Sequence, residues 1–338
     1  MKQTGIKFAA LGVLLVVSLF LSNIIYSKWF YKDDLIETDA KMLLDLDSLQ
    51  NVNDIIYFAE SSNATTGYYD TCKKSISELI ADQLKNKSLG TIQHAAIHAK
   101  TYLELIKNIR PDSKVKTIIV TMNLRSFDAD WINSKLETPL MRANVMYAQL
   151  PAIIKKLMIS FSAYDDKVEY LRNKERAHHW KHDPIIVPEN FPYKNVKDWD
   201  GAIFSKLFDQ PKTRDLTCAY IKTYGFSIDT LTNPRIKDFD EIVKVAKEKN
   251  LHLVFNLLAE NVQYADSLVG KELVSLIKQN RDLLMQRYNK NGVIVVDNLE
   301  LVNGKEFCDQ DWTTEHYVQS GRIRIAGNVF ATAAVYLK

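Results

Sequence analysis

Three short stretches carry residue types that together could perform acyl transfer. Ser61 follows the apolar run Asp54–Ala59, in the order Phe58-Ala59-Glu60-Ser61-Ser62-Asn63. A serine at the end of a buried strand points into the crevice beyond the sheet, and a helix starting there favours negative charge beside it. Serine is also a frequent helix N-cap, so taken alone Ser61 reads as a cap. Ser62 stands at the same turn as a second candidate. Asn123 closes another apolar run, Val115–Met122. Its amide could donate to a developing oxyanion, or simply cap the loop. His316 lies in Cys308-Asp309-Gln310-Asp311-Trp312-Thr313-Thr314-Glu315-His316-Tyr317, with Asp309, Asp311 and Glu315 before it. A histidine held as a general base needs an acceptor on its other ring nitrogen, and any of these acids could supply it.

Convergence of these residues requires a particular framework. Five β-rich runs stand out: Asp54–Ala59, Gly90–His94, Val115–Met122, Leu251–Leu258 and Val293–Asp297. Helix-period segments follow or separate most of them, at about 71–85, 97–109, 238–249, 268–289 and 318–337. This alternation predicts an α/β fold with a doubly wound parallel sheet. Continuous apolar strands fit burial on both faces. Ligands of such sheets bind beyond the carboxyl ends of the strands, where Ser61, Asn123 and His316 would meet. The stretch from about 128 to 235 breaks the alternation and is read as an insertion over the sheet end, with one helix expected at 150–161.

The three sites together resemble the SGNH (GDSL-like) hydrolase superfamily over most of residues 50–338. Ala59-Glu60-Ser61 stands where that family has Gly-Asp-Ser, Asn123 resembles its block-three Asn, and His316 its block-five base. The resemblance implies a three-layer, flavodoxin-like five-stranded sheet. It also implies a Ser61 nucleophile, with an oxyanion hole of Asn123, the Ser61 N–H and a backbone N–H from Ala95 or Ala96. The family's acid lies three residues before its histidine, but Thr313 stands there. Asp311 is the favoured substitute, with Asp309 and Glu315 as alternatives. The oxyanion glycine is also missing from His94-Ala95-Ala96-Ile97-His98. The implied activity is a serine-dependent O-acyl esterase or acyltransferase, O-acetyl groups included, with no cofactor. The departures leave open a non-catalytic protein that keeps the fold to bind glycan or a membrane acyltransferase.

The chain has 338 residues, with 44 Lys+Arg against 41 Asp+Glu and a net charge of +3. That balance gives no field for nucleic acid. Scarce Gly (11) and Pro (8) exclude collagen-like and low-complexity disordered classes. No charge occurs from Phe8 to Ser27, enough helix to cover a ~30 Å hydrocarbon core. Lys2 and Lys7 precede it, and Trp29-Phe30-Tyr31 follows as an aromatic interfacial anchor. Residues 1–27 are therefore expected to be a cytoplasmic tail and retained single-pass transmembrane anchor, rather than a cleaved signal. Residues 28–338 would form the exported domain, on the extracytoplasmic side of a bacterial cytoplasmic membrane. An anchored SGNH domain resembles the DltD and AlgJ/AlgX-type envelope O-acylation proteins. That likeness implies an envelope glycan or acylated polymer as substrate and a membrane-bound O-acyltransferase as partner.

Other chemistry-bearing residues have plainer readings. His178, His179 and His182 lack a further ligand at a zincin spacing, so no metal is expected. Arg125 could meet an anionic substrate group, but a local carboxylate is its default partner. Asn261 could line the crevice or cap a loop. Cys72, Cys218 and Cys308 are too few and scattered for a disulfide framework.

Overall fold

The apolar runs form one five-stranded, all-parallel sheet: β1 Ile55–Ala59, β2 Leu89–Gln93, β3 Thr117–Met122, β4 His252–Leu257 and β5 Val293–Asp297. The structure is a computed structural model describing residues 2–38, 40–165, 167–186 and 191–338. Strand order is β2-β1-β3-β4-β5, the flavodoxin-like order whose switch point lies between β1 and β3. Ser61 and Asn123 follow those two strands. Each strand lies within the expected range, give or take one residue.

Side chains alternate along each strand, which sets two cores. Ile56 and Phe58 of β1, Val120 of β3 and Phe255 of β4 face the helices Ala99–Lys107, Pro234–Glu248 and Lys271–Tyr288. Ile55, Tyr57, Ile119, Val254 and Val296 face Ile76–Ala81 and Gln319–Thr332. The sheet is therefore the middle of three layers. Gly90 permits close approach at the sheet edge: a Cβ there would come within 2.8 Å of the Asn53 amide.

Among the described residues, six α-helices lie between β3 and the Pro234–Glu248 crossover helix: Ala129–Ile132, Glu137–Tyr147, Ala152–Ser160, Glu169–His182, Val196–Lys206 and Pro211–Tyr224. The apolar period exposes only the third. Glu169–His182, for example, is polar nearly all round, and its Arg176 pairs with Glu169 and Asp130. Such a helix has no apolar stripe to read. Buried Arg235 ties this region to the sheet layer. It donates to Glu137 Oε1 at 2.5 Å and to the Ser126 carbonyl at 3.1 Å. The last inserted helix, Pro211–Tyr224, reaches the residues around His316 through Thr223 and Tyr224.

The N-terminal helix spans Lys2–Trp29, and its Gly5–Trp29 stretch is long and apolar enough to cross a membrane, with mean hydropathy 2.5. A short helix, Tyr31–Glu37, follows after one residue.

Candidate active site

Glu60 ends the extended backbone of β1, and Ser61–Asn63 turns at once into one 3₁₀ turn. Asn63 fixes that turn. Its Nδ2 donates to Gln93 Oε1 at 2.7 Å, and its Oδ1 accepts from the Ser77 N–H at 2.8 Å. Ser61 is half-buried, and its Oγ lies 3.0 Å from His316 Nε2. Ser62 is buried and turned toward Glu60, so the choice between the two serines falls to Ser61.

His316 Nδ1 lies 2.6 Å from Asp309 Oδ2. Thr314 Oγ1 donates to the same oxygen at 2.6 Å. Burial alone would raise the Asp309 carboxyl. The hydrogen bonds from Thr314 and His316 outweigh it and hold the group below the usual carboxylate range. An ionised Asp309 can only accept. The Nδ1 therefore carries the hydrogen, which leaves Nε2 as acceptor for the Ser61 hydroxyl.

The expected acid, Asp311, is corrected to Asp309. Phe307 and Tyr317 pair as an isolated antiparallel bridge, and the Cys308 N–H donates to the His316 carbonyl at 2.8 Å. The segment between them is a closed loop. Asp309 sits at its neck beside His316, while Asp311 projects from its tip, exposed and without a hydrogen bond or ion pair among the described residues. Glu315 is also excluded as the partner of His316. The backbone there alternates, so adjacent side chains point to opposite sides. Glu315 is buried and pairs with Arg125 Nη2 at 2.7 Å.

Asn123 does not fill its expected role. Its Nδ2 donates to Glu60 Oε1 at 2.8 Å and to Glu315 Oε2 at 2.9 Å, while its Oδ1 caps the next turn by accepting from the Arg125 N–H. An amide has two hydrogens, and both are committed. The remaining expected oxyanion donors are backbone groups. The N–H groups of Ser61, Ala95 and Ala96 have no protein partner among the described residues. Ala96 takes φ +59, the left-handed conformation that favours glycine. The missing oxyanion glycine thus stands in a glycine-like backbone held by an alanine.

Arg125 is buried rather than substrate-facing. It pairs with Glu315, donates to the Thr313 carbonyl at 2.5 Å, and lies 4.5 Å over the Trp131 ring. Asp128 and Asp130, the acids nearest in sequence, do not pair with it. Asn261 is buried and caps the Val262–Leu268 helix by accepting from the Tyr264 N–H, while its Nδ2 donates to the Gly304 carbonyl at 3.4 Å.

Two features escaped the sequence reading. One is a buried acidic cluster under the serine: Glu60, Glu260 and Glu315 around the single cation Arg125. Burial and the Glu315 charge push the Glu60 carboxyl up to about 7, against Arg125 and the Asn123 hydrogen bond. Burial and Glu315 also push Glu260 well up, and Tyr224 donates to it at 2.6 Å. Glu260 follows the carboxyl end of β4, and that position is the only signal that could have marked it. The other feature is Arg322, wholly buried. It donates to the carbonyls of Tyr317, Cys72 and Lys74 and pairs with Asp70 at 2.8 Å. One guanidinium thereby joins the chain after Ser61 to the residue after His316.

Beyond the loop tip lies a groove of about 440 Å³, lined by Asp311, Trp312, Tyr264, Lys212, Thr213 and Asp215 among others. Trp312 is 60% exposed. His178 and His182 face each other on one helix, and no group of three or more His, Cys, Asp or Glu is placed to hold a metal among the described residues. The three cysteines are free.

No protein-family model matches the chain, and no curated protein matches it. Among solved structures it is similar to a lipase/acylhydrolase from Enterococcus faecalis, with 8% identity, TM-score 0.35, and coverage of 84% of this chain and 96% of that one. It is also similar to the lipase Lip_vut3 from a goat rumen metagenome, with 11% identity, TM-score 0.38, and coverage of 82% and 96%.

Proposed function

We propose that this chain is a serine-dependent O-acyl esterase or acyltransferase of SGNH type, held at a bacterial cytoplasmic membrane by its N-terminal helix. Its domain lies on the extracytoplasmic side and acts on an envelope polysaccharide or related glycan. The carrying observation is the Ser61–His316–Asp309 relay, with contacts of 3.0 and 2.6 Å. Its geometry suits a nucleophile, a base and a group that orients the base.

In the first half-reaction Ser61 Oγ bonds to the ester carbonyl carbon as its proton passes to His316 Nε2. Asp309 keeps the imidazole in the required tautomer and stabilises its cation. The carbonyl oxygen becomes an oxyanion, with the N–H groups of Ser61 and of Ala95 or Ala96 as its donors. Collapse breaks the bond to the leaving alcohol, which takes the proton from His316. In the second half-reaction His316 takes a proton from the acceptor as its oxygen bonds to the acyl carbon; the acyl–Oγ bond then breaks and Ser61 Oγ takes that proton from His316. Water as acceptor gives hydrolysis, and a sugar hydroxyl gives transfer.

The groove supports a glycan as substrate. An exposed Trp face suits the apolar face of a pyranose ring. Asp215 and Asp311 can accept from sugar hydroxyls, and Lys212 and Thr213 can donate. Two carboxylates do not suit a polyphosphate.

Asn123 favours a second reading. With its amide committed to two carboxylates, one oxyanion donor is lost, which fits a protein that only binds glycan or a membrane acyltransferase partner. A fluorophosphonate probe separates the two. Labelling of the wild-type and Ser62→Ala chains but not of Ser61→Ala supports the enzyme. Equal labelling of all three, or labelling of none, removes it.

A further inference from the structure

Asn23 is the most polar side chain of the uncharged run from Phe8 to Ser27. An amide in hydrocarbon needs partners. Asn23 finds one outside its own helix: its Oδ1 accepts from the Ile153 N–H at 3.0 Å. Ile153 is the second residue of the Ala152–Ser160 helix, and Pro151 before it leaves the helix start without a cap of its own. The N-terminal helix therefore supplies the missing acceptor to an inserted helix 130 residues later.

Four further contacts surround this pairing. Lys156 pairs with Asp34 at 2.7 Å. Lys155 donates to Tyr31 Oη at 2.8 Å and to the Met146 carbonyl at 2.9 Å. Tyr31 Oη donates to that carbonyl at 2.9 Å. Both lysines are thus tied to groups around the stem of the N-terminal helix. Apolar side chains point the other way: Leu150 is 43% exposed, Leu157 37% and Phe161 79%.

Depth follows from helix geometry. Asn23 precedes Trp29 by six residues, or roughly 9 Å along the axis at ~1.5 Å per residue. Trp29 and Phe30 are exposed and suited to the interfacial layer. The start of the inserted helix then lies roughly 9 Å inward of Trp29, within the roughly 5–10 Å by which interfacial helices enter the headgroup–acyl boundary.

We propose that the 150–161 segment is a second membrane contact, lying in the interfacial layer beside the anchor with Leu150, Leu157 and Phe161 toward the acyl chains. The occupant of this apolar surface is the bilayer, because the surface is continuous with a helix that must itself be in lipid. This rests on the reading that Gly5–Trp29 spans the membrane. The sheet domain is then docked on the bilayer at two points rather than tethered at one.

Depth-dependent quenching tests it. The full chain, with its three cysteines replaced by alanine, takes one of Val16→Cys, Leu157→Cys, Phe161→Cys or Leu231→Cys, labelled with an environment-sensitive nitrobenzoxadiazole. Each is reconstituted in phosphatidylcholine–phosphatidylglycerol vesicles with or without nitroxide-labelled lipid. Leu231 is 82% exposed and serves as the aqueous reference. Labels at 157 and 161 are expected to be blue-shifted and quenched at least threefold more than at 231. Behaviour at 157 and 161 equal to that at 231, with 16 quenched, overturns the second contact and leaves the anchor standing. Absence of quenching at 16 overturns both. Blue-shifted labels at 157 and 161 without lipid quenching mean that protein covers the surface, and overturn the proposal.

Discussion

His316 Nδ1 lies 2.6 Å from Asp309 Oδ2, seven residues upstream, because the chain between them closes on itself through the Phe307–Tyr317 bridge. The spacing differs from the usual three-residue separation, yet the contact is equivalent. A loop that returns to its own start brings its neck residues together whatever its length. Asp311, nearer in sequence, is carried to the tip.

This relationship separates two carboxylates that the sequence ranks in the opposite order. Asp309→Asn is expected to lower kcat on a small chromogenic acetate ester by about 10²–10⁴-fold, because the imidazole loses its tautomer control. Asp311→Asn is expected to stay within about twofold. Steady-state kinetics of the two variants decide it. Equal losses, or a larger loss in Asp311→Asn, would overturn the assignment of Asp309.

Asn123 is expected to matter more for stability than for chemistry. Asn123→Ala removes both hydrogen bonds to buried Glu60 and Glu315. An unsatisfied buried acceptor costs about 1–3 kcal/mol, so a loss of roughly 2–5 kcal/mol is expected in denaturant unfolding. An oxyanion donor would instead lower kcat by about 10²–10³-fold with little change in stability. Measuring both quantities distinguishes the roles. A stable variant with collapsed kcat would restore Asn123 to the oxyanion hole.

The sheet was legible because strands buried on both faces carry unbroken apolar stretches, as Ile118–Val120 does in β3. The serine turn and His316 were legible because parallel strands place their chemistry at their carboxyl ends. Asn123 was placed correctly but assigned the wrong partners, since nothing in the sequence says that Glu60 and Glu315 are buried beside it. A buried carboxylate looks like any other until its surroundings are known. The inserted helices were hidden for a related reason: Glu169–His182 is held by ion pairs rather than an apolar stripe.

Glu60 gives a pH dependence with a definite sign. Its carboxyl goes from an ordinary 4.5 to about 7, through burial first and the Glu315 charge second. The folded chain therefore keeps a proton that the unfolded chain has released. This contribution to stability is fully present below about pH 4.5 and is lost as pH rises through about 7. Glu60→Gln mimics the protonated group and still accepts from Asn123. The variant is expected to exceed wild type in unfolding free energy at pH 8, by up to the order of 3 kcal/mol. The difference should close toward pH 5. A gap that is absent at pH 8, or that widens on acidification, would reject the buried-proton account.

Trp312 tests the substrate class without touching the relay. It stands four residues before His316, and its exposed ring forms one wall of the 440 Å³ groove. Stacking a pyranose on that ring should contribute on the order of 1–2 kcal/mol, or roughly five- to thirtyfold in affinity. Trp312→Ala is expected to raise KM for an O-acetylated polysaccharide by about that factor with kcat nearly unchanged. For a small acetate ester, which has no sugar ring to stack on Trp312, both constants should stay near wild type. Such a split removes uniform binding and leaves the chemical step intact. Equal effects on both substrates would mean that Trp312 shapes the loop carrying Asp309 and His316, and the groove would lose its claim to the glycan.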